Sequence, residues 1–417
     1  MIPPRHIQAV LWLILAVIRS QSSISAAEPK PLQVYILAGQ SNMQGHAEVS
    51  TFDFMADDPR TAPLLKEMRY ADGKPTVCEK VWISSVGCLG DRYSDLHEQT
   101  GKLTTGFGAD EDKIGPEFTF GLTLERLQDE PILIIKTSWG GRSLHTDFRP
   151  PSAGPYAWSD YELTQCRERG DDLEKIKAEK RLATGVYYRE MIKHVHHVLG
   201  DIQRVVPEYD EKQGYELAGF VWFQGFNDLV SDWTYDKQNE PGGYDLYGKL
   251  LTHLIRDVRK DLQAPAMPVV IGVMGIGGVK EGEKPPQMSF RQAQVAPTLL
   301  PEFQGNVLAV QTAPFWSDEL GEIELKQNQV EQMAYLLSVK DKNSANADGS
   351  MNEEQQQASL KKFEAKLITP QEALLWKRGA SNGGYHYLGC AKTFALIGRA
   401  FAEALVESRA ARQAEKK

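Results

Sequence analysis

Five short apolar runs punctuate the chain, each followed by glycine or another turn residue. Leu32–Ala38 (LQVYILA) ends at Gly39, Pro131–Lys136 (PILIIK) leads to Gly140-Gly141, and Leu217–Phe223 (LAGFVWF) ends at Gly225. Pro268–Val273 (PVVIGV) leads to Gly275, Gly277 and Gly278, and Val307–Gln311 (VLAVQ) is the fifth. Runs this short and this rich in Val, Ile and Leu predict buried strands. Between them, Glu117–Leu127, Leu182–Leu199 and Tyr244–Leu262 are amphipathic at helical spacing. So is Tyr387–Glu407, through Leu388, Phe394, Ile397, Phe401 and Leu405. Strands alternating with helices predict an α/β fold: a three-layer α/β/α sandwich around a mostly parallel sheet. Ligands of such sheets sit at the C-terminal ends of the strands.

Two segments break the rhythm. Residues 49–112 read as a loop-rich elaboration over the sheet edge or the site. Residues 339–366 (VKDKNSANADGSMNEEQQQASLKKFEAK) are polar, with no apolar face until Phe363, and read as the start of a solvated insertion reaching about residue 382. The expectation is one domain over 28–417 with these two insertions.

Residues 1–27 stand apart from that domain. Arg5 and His6 precede the apolar run Ala9–Ile18 (AVLWLILAVI), and small residues follow at Ser25-Ala26-Ala27. The run is too short to cross a hydrocarbon core of roughly 30 Å, so the pattern predicts a cleaved signal peptide and a secreted or periplasmic protein. No later segment is apolar for long enough to span a membrane, so none is expected to after cleavage.

Composition narrows the classes. With 41% hydrophobic residues the chain can build a core, and 47 Lys+Arg against 56 Asp+Glu give a net charge of −9. That balance argues against a nucleic-acid binder. Four cysteines are too few for a disulfide scaffold. Cys78 and Cys88 flank the strand-like Val81-Trp82-Ile83 and offer a local bridge, with buried free thiols as the default; Cys166 and Cys390 are far apart in sequence.

The chemistry concentrates at strand ends. Gly39-Gln40-Ser41-Asn42-Met43-Gln44-Gly45 follows the first strand, where a serine on a strand-to-helix turn can expose its hydroxyl and aim its own N–H at an oxyanion. An N-cap serine is the plain structural reading of the same residue. A nucleophilic serine needs a base, and His386, in Ser381-Asn382-Gly383-Gly384-Tyr385-His386-Tyr387, is best placed among nine histidines. His194, His196 and His197 read as the solvated face of a helix rather than a metal cluster. Gly275–Gly278 lacks the dinucleotide fingerprint. Gly140-Gly141-Arg142-Ser143 and Gly225-Phe226-Asn227-Asp228 can each supply an oxyanion donor, a backbone N–H from the first and the Asn227 amide from the second.

These blocks in this order, GQSNMQG at 39–45, GGRS at 140–143, GFND at 225–228 and a late histidine at 386, resemble the SGNH hydrolase superfamily. GQSNM, with WFQG ahead of the third block, is similar to the sialate O-acetylesterase domain of carbohydrate esterase family 6. The resemblance spans roughly residues 32–405. It implies a flavodoxin-like sandwich, Ser41 as nucleophile, His386 as general base, and an oxyanion hole of Ser41 N–H, Gly141 (with Gly140 as the alternative) and Asn227. Gln40 and Gln224 are expected to orient the first and third blocks and, with Trp139, to contact substrate. Trp222, Phe226 and Trp316 are further candidates for stacking on sugars. The substrate class implied is an acetylated carbohydrate, sialate or plant or algal polysaccharide, with neither metal nor organic cofactor.

One departure matters. The family places Asp three residues before the histidine, and this chain has Gly383 there. The acid is absent, or comes from Asp228 or, failing that, Asp318 or Glu319, or a backbone carbonyl holds the ring. The competing class, a carbohydrate-binding protein on the same fold with weak or no catalysis, rests on that glycine.

Overall fold

The structure is a computed structural model describing residues 30–87 and 96–415, so the signal-peptide segment 1–27 and Cys88 lie outside the described residues. Among the described residues nine strands run in chain order: β1 (Leu32–Gly39), β2 (Ala47–Glu48), β3 (Val81–Gly87), β4 (His97–Lys102), β5 (Lys113–Ile114), β6 (Ile132–Ser138), β7 (Tyr215–Phe223), β8 (Val269–Val273) and β9 (Val307–Gln311). Seven form the central sheet in the order β4-β3-β6-β1-β7-β8-β9. All neighbours pair in parallel except the edge pair β3/β4. β2 and β5 make a small antiparallel pair of their own.

Alternation along each strand sends side chains to two cores. Val34, Ile36 and Ala38 of β1 join Leu133, Ile135, Phe220 and Trp222 on one face, under the helices Val186–Gly200 and Asp245–Asp261. Tyr35 and Leu37 join Ile134, Val221 and Phe223 on the other, under Glu117–Leu127 and Ala391–Glu415. A sheet apolar on both faces must be covered twice, which gives the predicted three layers.

The segment 49–112 does more than decorate an edge. It supplies β3, inserted beside β6, and β4, the antiparallel border strand. The polar segment after residue 338 carries the helix Glu353–Leu367, capped by Asn352 and without a buried residue.

Chain order reverses around β1: β6 lies on one side of it and β7 on the other. Crossovers leave in opposite directions there, opening a crevice beyond the carboxyl ends of the strands. The turns after β1, β6 and β7, which carry the first three sequence blocks, all emerge at that crevice.

Candidate active site

The turn after β1 is shaped by two close approaches. A Cβ on Gly39 would lie 2.1 Å from the carbonyl oxygen of Phe223, so only glycine lets β1 and β7 end so close together. Gly45 has φ +96°, and a Cβ there would lie 2.1 Å from Gly115 Cα. Between them Gln40 is extended and Ser41 opens a single helical turn, Ser41–Gln44, with Gly45 N–H donating to Ser41 C=O. Beneath this turn the fully buried Lys136 donates to Gln44 C=O, Phe107 C=O and Glu117 Oε2, each at 2.7 Å.

A network of amides then fixes the third block. Gln40 Oε1 accepts the backbone N–H groups of Gly225 (3.2 Å) and Asn227 (3.3 Å) and the Nε2 of Gln224 (3.0 Å). A backbone N–H only donates, so that end of Gln40 is its oxygen. Gln40 Nε2 therefore donates to Asn227 Oδ1 at 2.8 Å, and Nδ2 is the end of the Asn227 amide left for the cavity that this residue lines.

Asp228 faces away from this cavity. Its carboxylate accepts Leu144 N–H (2.7 Å), His145 N–H (3.1 Å), Gln224 Nε2 (2.7 Å) and Tyr235 O–H (2.9 Å). It is fully buried, and burial pushes its pKa up to about 6 against the pull of those donors. Asp228 is thus a brace between the second and third blocks, and the expectation that it supplies the missing acid is corrected. Asp318 and Glu319 do not replace it: both are exposed in the first turn of the helix Asp318–Ser338.

The partner of His386 is Asn382. His386 Nδ1 lies 3.0 Å from Asn382 Oδ1, which also accepts Gly383 N–H at 2.8 Å. That backbone donor identifies Oδ1 as the oxygen, so Nδ1 carries the ring proton and Nε2 keeps its lone pair. The loop is strained just behind the ring, where Tyr387 (φ +51°) and Leu388 (φ +63°) are left-handed. Tyr387, buried, anchors that bend by accepting Gly275 N–H (2.8 Å) and bonding Thr312 Oγ1 (2.7 Å). Asn42 Nδ2 donates to Tyr385 C=O at 3.1 Å and ties the serine turn to the histidine loop.

Ser41, Gly140, Gly141, Asn227 and His386 line one cavity of about 470 Å³, together with Gln44, His46, Asp110, Lys113, Phe226, Asn382 and Tyr385. Ser41 and His386 are not hydrogen-bonded to each other; such contacts tighten when substrate arrives. His46 stacks on His386 with ring centroids 3.8 Å apart and planes within 3°. Burial, with His46 and Lys113 adding to it, holds His386 down at about 3. Burial also holds His46 at about 4, helped by Lys113 and Lys136. Both rings are neutral near neutral pH.

Other expected contacts move. Gln40 and Gln224 are buried with their amides engaged inside the protein, so they orient the blocks and cannot reach a sugar. Trp139 and Trp222 are fully buried; Trp139 packs against Phe148 and Tyr187 beneath the second block. Phe226 and Tyr385 are the aromatic residues at the cavity. His194 is no solvated residue either: it is largely buried and bonds Ser84 Oγ at 2.9 Å. Cys78, Cys166 and Cys390 are buried thiols. Among the described residues no cluster of His, Cys, Asp and Glu could hold a metal ion, and no helix is long and apolar enough to cross a membrane.

An α/β/α sandwich with a serine, a histidine and amide donors gathered beyond its strand ends is the class that this sheet and this cavity define. More narrowly, the chain belongs to the family described as carbohydrate esterase, sialic acid-specific acetylesterase, which matches residues 31–313. It is therefore a carboxylic ester hydrolase. No curated protein matches it. Three solved structures resemble it distantly. A protein from Arabidopsis thaliana shares 17% identity over 68% of this chain and 86% of its own, with a TM-score of 0.36. A carbohydrate acetylesterase from Xanthomonas citri shares 16% over 67% and 49%, with a TM-score of 0.35. NanS shares 13% over 68% and 78%, with a TM-score of 0.36.

Proposed function

We propose that the protein removes O-acetyl groups from carbohydrates through an acetyl-enzyme on Ser41. The observation carrying this reading is the convergence of Ser41, His386, Asn227 and Gly140-Gly141, from four distant stretches of chain, on one cavity. Ser41 Oγ attacks the acetyl carbonyl as its proton passes to His386 Nε2. The oxyanion forms against Ser41 N–H, the N–H of Gly141 and Asn227 Nδ2. Collapse expels the sugar oxygen, which takes the proton back from the imidazolium. Water then attacks the acetyl-serine with Nε2 again as base, releasing acetate and restoring Ser41.

The choice of acetylated sugar is set by the cavity mouth. Phe226 and Tyr385 stand there, with Lys113 and Asp110 paired at 2.5 Å. Acetylated sialic acid and acetylated plant or algal polysaccharide are the substrates to compare. Export to the periplasm or the medium completes the proposal, and N-terminal sequencing of the protein recovered from those fractions tests it: a new terminus after Ala27 is expected.

The test of the reaction is hydrolysis of p-nitrophenyl acetate, and acetate release from both glycan types, by wild type and Ser41→Ala. Wild type should turn over and Ser41→Ala should lose about 10³-fold or more in kcat. Equal rates would remove the proposal.

A further inference from the structure

A base that lacks a carboxylate partner must be oriented by something else. A hydrogen bond at Nδ1 fixes which nitrogen bears the proton, yet it lets the ring tilt about the N···O line. A flat neighbour against the ring face removes that second freedom. His386 has both restraints, from different parts of the chain: Asn382 Oδ1 at 3.0 Å from Nδ1, and His46 parallel to it at 3.8 Å.

The two restraints are also joined to each other. Ser381, next to Asn382, accepts Glu48 N–H on its Oγ at 3.1 Å and donates to Gly389 C=O at 2.7 Å. Glu48 belongs to β2, which follows His46 directly and pairs with β5. The strand that follows His46 and both ends of the loop carrying His386 are therefore stitched through one hydroxyl.

We propose that Asn382 and His46 are positioning residues for the imidazole, Asn382 setting its tautomer and His46 its plane, so that His386 works as a base without a carboxylate. The inference rests on the reading of His386 as the general base. Gly383, the position three before the histidine, takes part through its backbone, giving its N–H to Asn382 and its C=O to the N–H groups of His386 (2.9 Å) and Leu388 (3.1 Å), and a Cβ there would lie 2.7 Å from the Tyr385 ring. The loop holds the ring through the residue one step earlier.

An amide offers no counter-charge to the imidazolium formed during acyl transfer. The charged and titratable groups around the ring are His46 on its face, the Lys113–Asp110 pair across the cavity, Tyr385 beside it, and Glu324, whose carboxylate accepts Gly384 N–H. None of them is hydrogen-bonded to a ring nitrogen. A carboxylate placed at 382 would be.

The test is the pH dependence of kcat and KM on p-nitrophenyl acetate for full-length wild type, Asn382→Ala, Asn382→Asp, His46→Ala, His46→Phe and His386→Ala, each checked for a native melting transition. Asn382→Ala should lose about 10²-fold or more in kcat with KM little changed. Asn382→Asp should retain activity and move the acidic limb up by about one pH unit or more, because the new carboxylate stabilises the imidazolium. His46→Ala should lower kcat by about tenfold or more through ring misplacement, and His46→Phe, which restores a flat face, should recover most of it. If His386→Ala is inactive while Asn382→Ala and His46→Ala keep the wild-type kcat, or if the Asn382→Asp limb does not move, the inference is overturned. A fully active His386→Ala would instead remove the base assignment and the inference with it.

Discussion

Asn227 and Asp228 are adjacent and do opposite work. Asn227 has its oxygen tethered by Gln40 and its Nδ2 left for the cavity, where the proposed mechanism puts the oxyanion, whereas Asp228 has both oxygens engaged inside the protein. Asn227→Ala should therefore lower kcat about 10²- to 10³-fold and leave KM nearly unchanged; steady-state kinetics decides, and an effect confined to KM would make Asn227 a ground-state contact. Asp228→Asn turns an NH₂ towards backbone donors, which should cost about 1–3 kcal/mol in urea unfolding while the acidic limb stays where it was. At this scale the sequence revealed residue types better than their directions. The lone serine between glycines and the histidine in a glycine-rich loop were visible because few other roles suit them. Trp139 was misread because a Trp after a strand has the same letters whether it faces a crevice or the core. Asn382 escaped because it stands four positions before His386, where the resemblance puts nothing, and His46 because a stack across 340 residues leaves no local pattern.

Elements were legible wherever burial imposes a pattern. Five strands came from apolar runs, and the helix Glu117–Leu127 appears with the bounds its periodicity predicts. β3 and β4 were harder. Ser84 and Ser85 interrupt β3, and β4 (HEQTGK) is a border strand whose side chains are half-buried or exposed, so neither carries a full apolar signature. The role of the buried Lys136 was not legible either, because one charge at the end of an apolar run reads as a strand end. Lys136 joins β6 to the Ser41–Gln44 turn, the loop at Phe107 and the helix carrying Glu117. Lys136→Met should leave Glu117 buried and unpaired, costing about 3–5 kcal/mol of stability, and should lower kcat as the serine turn relaxes. Chemical denaturation with parallel kinetics checks both; an unchanged unfolding midpoint would show that the pair holds nothing.

On the scale of the whole molecule, four histidines among the described residues are held neutral by burial, His145 fully and His46, His194 and His386 in large part. Burial lowers His386 and His145 to about 3 and His46 and His194 to about 4. Each takes up a proton near pH 6.5 in the unfolded chain but not in the fold, so unfolding binds protons and stability rises with pH across that window. Falling pH should therefore weaken the protein from about 6.5 downward, through the same four groups. Asp228 acts the other way: raised to about 6, it binds its proton in the fold first and favours the fold as pH drops. Burial raises the Glu117 and Glu324 carboxyls in the same direction as Asp228, and the four histidines, each shifted by burial, should still outweigh these three and leave a net loss of stability between pH 6.5 and 4.5, measurable as a falling melting temperature. A melting temperature that is flat or rising on acidification would contradict the burial of these rings as neutral groups.

The proposed reaction depends on Ser41 acting as a nucleophile activated by His386. An organophosphate ester of p-nitrophenol, which traps activated serines as stable phosphoryl esters, tests it most directly when the labelled peptide is identified by mass spectrometry. Wild type should be phosphorylated on Ser41 with release of p-nitrophenol, and both Ser41→Ala and His386→Ala should remain unlabelled while folded. Label on another residue, or labelling of His386→Ala at the wild-type rate, would contradict the account.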